Sequence, residues 1–148
     1  MPKLDLDDFP TTNATGYPDH YAGEVQGRWY RRLGPASGLS DFGVSHVTLE
    51  PGAWSAQRHW HEGVDEFVVM LEGEAVLVDE AGEHVLRPGD CAAFPAGEAN
   101  GHVLQNRGAA PCVFVAIGKP NIGECHYPDI DMHLAADGIF RRKDGSGF

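Results

Sequence analysis

From Phe42 onward, apolar residues come in short bursts separated by turn residues. The bursts fall at Phe42–Leu49, Glu66–Leu71, Glu74–Val78, His84–Leu86, Cys91–Phe94, His102–Gln105 and Cys112–Ile117. Most are rich in Val, Phe and Leu, and Gly, Pro, Asp or Asn bound them. This spacing predicts an all-β antiparallel sandwich or barrel. No segment between residues 42 and 118 keeps apolar residues at helical spacing over three turns, so no helix is expected there. On Glu66–Leu71, Val68 and Met70 share the face of Glu66, while Phe67, Val69 and Leu71 occupy the other. Apolar residues on both faces predict a strand covered on both sides, by the core and by an arm or partner subunit.

The flanks read differently. Residues 1–41 are rich in Pro, Gly, Asp and Thr and show little periodicity before Arg28-Trp29-Tyr30-Arg31-Arg32-Leu33. They are expected to form an N-terminal arm with one short strand. Residues 119–148 predict a second arm, with a helical turn near Met132–Ala136. The division is therefore an arm over 1–41, a barrel over 42–118 and an arm over 119–148. At 148 residues the chain suits one hydrophobic core.

Composition narrows the function. Gly 19 and Pro 10 agree with many turns. A formal net charge of −11 repels polyanions, so nucleic acid and anionic membranes are discounted as partners. The cationic clusters Arg28–Arg32 and Arg141–Lys143 are short and read as solvated surface. No apolar run is long enough for a membrane helix, and the first residues lack the pattern of an export signal. Cys91, Cys112 and Cys125 form no CxxC and are expected as buried free thiols. A cytoplasmic location is the default expectation.

The chemistry concentrates in two segments. In the first, His59 and His61 stand two apart, so in an extended strand they project from one face as a pair of metal ligands. A tight turn at Glu62–Asp65 returns the Glu66 carboxylate beside them. In the second, a turn at Pro95–Gly101 leads into His102, a source for a third imidazole. Three neutral imidazoles and one carboxylate suit a single divalent transition ion, with Fe, Mn, Ni, Zn, Co and Cu all admissible.

These segments resemble the two signature motifs of the cupin superfamily. The first reads Gly52, six residues, His59-x-His61, four residues, Glu66, six residues, Gly73. It is one residue longer than the family pattern in its first spacer. The second reads Gly89, five residues, Pro95-x-Gly97, and then departs. Asn100 stands where the family has His, and His102 follows two positions later with Asn106 four beyond it. Because His102-x-x-x-Asn106 keeps the trailing spacing, His102 is taken as the fourth ligand and Asn100 as a weaker alternative. The resemblance implies a double-stranded β-helix, or jelly-roll, barrel. With its arms the chain is similar to small single-domain bacterial cupins, which often carry the label sugar-phosphate isomerase. Proteins of this kind commonly pair, and a homodimer is expected.

Two functions fit. One is a metal-dependent enzyme acting on a small polar metabolite as an isomerase, lyase or dioxygenase, with no catalytic acid or base nameable beyond the ligands. The other is a non-enzymatic binding or sensing module using the same pocket.

Overall fold

The computed structural model describes residues 3–119 and 123–148. Alternating residues build two facing sheets. The larger contains β1 (Arg28–Arg32), β2 (Gly43–Leu49), β4 (Glu66–Glu72), β7 (Cys91–Phe94) and β9 (Cys112–Gly118), in the order β1-β2-β9-β4-β7. The smaller contains β5 (Ala75–Asp79), β6 (Gly82–Leu86) and β8 (Val103–Gln105), in the order β6-β5-β8. All pairings are antiparallel.

Register decides which side chains meet inside. Val47 and Met70 both stand opposite Phe114 on β9, and Leu49 stands opposite Cys112. Together with Val68 they meet Ala75, Leu77, Leu86 and Leu104 of the smaller sheet in one buried cluster. The row Glu66, Val68, Met70 thus runs from a polar end of the barrel into its packed end. The register shifts between Met70 and Glu72. A shift of this kind re-aims the residues beyond it. Phe67 and Leu71 are exposed, so the expected cover on the outer face of this strand is not supplied by the described residues.

The first motif ends at Gly73 for a steric reason. Its φ is +69°, and a Cβ there would lie 2.8 Å from the Pro111 carbonyl oxygen. Only a residue without a side chain fits that backbone.

The flanking segments pack onto the barrel. β1 pairs along its length with β2, and Thr12 bridges to Tyr30. In the C-terminal segment, β10 (Cys125–His126), β11 (His133–Leu134) and β12 (Phe140–Arg141) form a sheet with β3 (Trp60–His61), in the order β12-β11-β10-β3. The expected helical turn at Met132–Ala136 is absent; pairing of β11 with both neighbours makes it a strand instead. Cys125, Tyr127, Met132 and Leu134 form a second buried cluster, with Tyr17, Tyr21 and Phe140 against it. No helix among the described residues is long and apolar enough to cross a membrane.

Candidate metal centre

Strand parity places the four predicted side chains together. His61 lies on β3, and His59 is joined to His102 by an antiparallel bridge with backbone bonds of 3.2 and 2.9 Å. Glu66 opens β4 on the cavity side. The Nε2 atoms of all three imidazoles surround its carboxylate: His102 at 2.9 Å, His61 at 3.5 Å and His59 at 3.7 Å. The three imidazoles are largely buried, and His102 stacks on Phe94 with ring centres 3.6 Å apart.

The other ring nitrogens explain why this donor set suits a cation. His59 Nδ1 lies 2.8 Å from the Gln57 carbonyl, and His102 Nδ1 lies 3.3 Å from the Asn100 carbonyl. A carbonyl only accepts, so a hydrogen bond there requires the proton on Nδ1. That tautomer leaves Nε2 a bare lone pair facing the Glu66 oxygens, which also only accept. A divalent cation among these lone pairs satisfies all of them. Imidazoles held through Nδ1 by backbone carbonyls are also oriented in advance as ligands.

Proton affinities follow the same crowding. Burial is the main influence on His59 and, with the neighbouring imidazoles, it outweighs the attraction of Glu66 to bring the pKa down to about 4. Burial also opposes charge on His61, but hydrogen bonds to Cys125 and Glu66 outweigh it and lift the pKa to about 10. Burial works against the charged form of Glu66 too, yet the imidazoles of His102, His61 and His59 around it hold it well below the usual carboxylate range.

Asn100 does not join the group. Its Oδ1 accepts from the Glu80 backbone N–H at 3.0 Å, which turns the amide toward the β5–β6 turn. Cys125, read from sequence as one of three buried thiols, is the residue that joins unexpectedly. It stands opposite His61 across the β3–β10 pair. Its sulfur and the nitrogens of His59 and His61 lie within 4.8 Å of one another. Cys112 is buried as expected, whereas Cys91 is exposed.

The opposite face of the same strands carries a second cluster. Trp60 stacks on His126 at 4.2 Å. His126 pairs with Glu62 at 2.7 Å, and His133 pairs with Glu124 at 2.8 Å. Each imidazole there already has its own carboxylate, which accounts for the cluster without an ion.

The candidate centre opens into a cavity of about 710 Å³. Its wall includes Val68, Leu104 and Phe114 from the barrel and Tyr17, Tyr127, Leu134 and Phe140 from the flanking segments. The Tyr17 and Tyr127 rings meet edge-on with centres 5.9 Å apart, and burial raises the pKa of both phenols. The wall also includes Arg28, Tyr30 and Arg32. The reading of that basic cluster as solvated surface holds for Arg32, which is exposed, but not for Arg28, which is half-buried with Tyr30 on the cavity wall.

Residues 45–118 match the family model described as Cupin domain. No curated protein matches the chain. Among solved structures, a sugar phosphate isomerase of the cupin superfamily from Silicibacter pomeroyi is 49% identical, with a TM-score of 0.93 over 99% of this chain and 96% of that one. A protein from Acidithiobacillus ferrooxidans, provisionally called a sugar phosphate isomerase, is 30% identical with a TM-score of 0.71, covering 77% of this chain and 74% of its own. A polyketide cyclase from Streptomyces resistomycificus, 20% identical, shares the fold with a TM-score of 0.66 over 80% of this chain and 78% of its own.

Proposed function

The chain belongs to the cupin superfamily, and on that footing we propose that it is a metal-dependent enzyme acting on a small polar metabolite. The observation that carries this reading is the convergence of three imidazole Nε2 atoms on one carboxylate at the end of a large cavity. His59, His61, Glu66 and His102 would hold one divalent transition ion. Such an ion supplies Lewis acidity, polarising a carbonyl oxygen. The protein's own groups bind and orient. The Tyr17 and Tyr127 phenols, kept protonated by burial, offer hydrogen bonds to substrate oxygens. Val68, Leu104 and Phe114 line the inner wall, where apolar side chains exclude water and strengthen polar contacts. Of the reactions such a site admits, isomerisation is favoured, because the relatives at 49% and 30% identity are called sugar phosphate isomerases, the second provisionally.

Elemental analysis of the purified protein should find close to one transition metal per chain, and a His59→Ala/His61→Ala variant should lose it. Unchanged metal content in that variant would overturn the ligand assignment. Metal-loaded protein should turn over a member of a panel of sugar phosphates and keto acids, assayed with and without O₂. Tight binding without turnover would overturn the enzyme reading in favour of a binding module. A homodimer belongs to this reading, supported by the exposed apolar pair Phe67 and Leu71 on β4. A monomeric mass by light scattering would remove it.

A further inference from the structure

We propose that the cavity-lining face of β1, Arg28–Tyr30–Arg32, is an anion subsite of this cavity, built for a phosphate monoester on the substrate. The inference rests on the reading above only for where the reacting end of the substrate lies.

The three residues stand two apart, so they share one face of the strand, and all three line the cavity that contains the metal centre. Tyr30 lies between the two guanidiniums, whose carbons are 5.4 and 5.6 Å from its ring centre, within cation–π range. The Tyr30 hydroxyl donates to the Ala14 carbonyl at 2.8 Å, which fixes the ring and, through it, the spacing of the two cations.

Arg28 is incompletely satisfied. Its Nη1 donates to the Ser55 carbonyl at 2.7 Å, but its Nε is buried without a partner. A guanidinium has five N–H donors and no acceptor, and a buried donor left unbonded is costly. Charge points the same way. Arg58, Arg87, Arg107 and Arg141 all take carboxylate partners. Among the described residues, no carboxylate pairs with Arg28 or Arg32. In a chain of net charge −11, two unpaired guanidiniums on a cavity wall concentrate positive potential where a ligand enters. Lys119 lines the same cavity. Planar guanidinium forks match phosphate oxygens two at a time, and this number of cations suits a dianion better than a single carboxylate. The substrate class is therefore a small metabolite with a phosphate at one end and a hydroxy-carbonyl group at the other.

Dihydroxyacetone phosphate and dihydroxyacetone differ only in the phosphate, and calorimetry can compare them on metal-loaded and EDTA-treated protein. Wild-type protein should prefer the phosphate ester by about tenfold or more in both states. In an Arg28→Gln/Arg32→Gln variant that folds, the preference should collapse to about twofold or less, with metal content unchanged. Lys at both positions, which keeps charge and loses the fork, should restore part of it. Should Arg28→Gln disturb folding, Arg32→Gln alone, at an exposed residue, should still give a several-fold loss. An undiminished preference in the folded variants, or no phosphate preference in wild type, overturns the proposal. Because EDTA-treated protein is one arm, failure of the metal assignment is read separately from failure of the anion subsite.

Discussion

Replacing Asn106 with alanine should destabilise the protein by about 2–5 kcal/mol. The side chain is 1% exposed and makes three hydrogen bonds. Nδ2 donates to the carbonyls of Leu49 and Ala110, both at 2.9 Å, and Oδ1 accepts from the Gly108 N–H at 3.0 Å. The three do not count equally. Gly108 and Ala110 are exposed, so water can replace the amide there, and each lost bond costs about 0.5–1 kcal/mol. The Leu49 carbonyl is bonded in the buried interior, and stranding it adds about 1–3 kcal/mol. For a chain of this length the melting temperature should fall by about 5–15 °C. Urea unfolding followed by tryptophan fluorescence gives the free energy directly, provided the slope is unchanged. Metal content should stay at the wild-type level, because the His59–His102 bridge does not involve Asn106. Aspartate should be worse than alanine, since it sets a carboxylate against the two carbonyls that Nδ2 served. A loss below about 1 kcal/mol for Asn106→Ala would refute the hydrogen-bond accounting.

Gly73→Ala should cost about 2 kcal/mol or more, combining left-handed backbone strain with a clash against the Pro111–Cys112 backbone; a thermal melt matching wild type would contradict it. Met132 is fully buried in the C-terminal cluster, and Met132→Ala should cost about 2–5 kcal/mol. Thiol labelling should then reach the buried Cys125 faster, whereas the exposed Cys91 should label at its wild-type rate. The Arg58 guanidinium, bonded twice to Asp129 at 2.7 Å, holds that carboxyl below its ordinary value of 3.8 against a smaller opposing effect of burial. A depressed folded value means the contribution is present above about pH 4 and is lost as pH falls through the folded value. Asp129→Asn should therefore flatten the acid limb of a stability profile below that pH, and an unaltered limb would show that the pair contributes nothing.

The sequence made the convergence of His59, His61 and Glu66 legible because it is local. Two imidazoles at strand spacing and a short turn back to the next strand need no knowledge of distant partners. His102 was reachable through spacing, and the structure shows why its rival stands apart: the Asn100 amide is bonded to the Glu80 backbone. Cys125 and Tyr127 were not legible, because they reach the cavity only through the register of β10 on β3, and two-residue strands carry no periodicity. The place of Arg28 and Arg32 on the cavity wall was hidden for a related reason. Alternation says that they share a face, but only the pairing of β1 with β2 and the path of residues 12–17 across it say which face that is. At Met132–Ala136 a local helical preference yields to the two neighbouring strands.

The attachment of β10 to β3 divides labour along the gene. The four side chains proposed to hold the ion lie within residues 45–118, the stretch shared with the wider family. The cavity wall that would press against a substrate is drawn partly from the tail, at Tyr127, Leu134 and Phe140. On the proposed function, exchange of tail residues would alter selectivity while leaving the four ligands untouched. A laboratory seeking a new substrate range would randomise the tail and leave the two motifs alone.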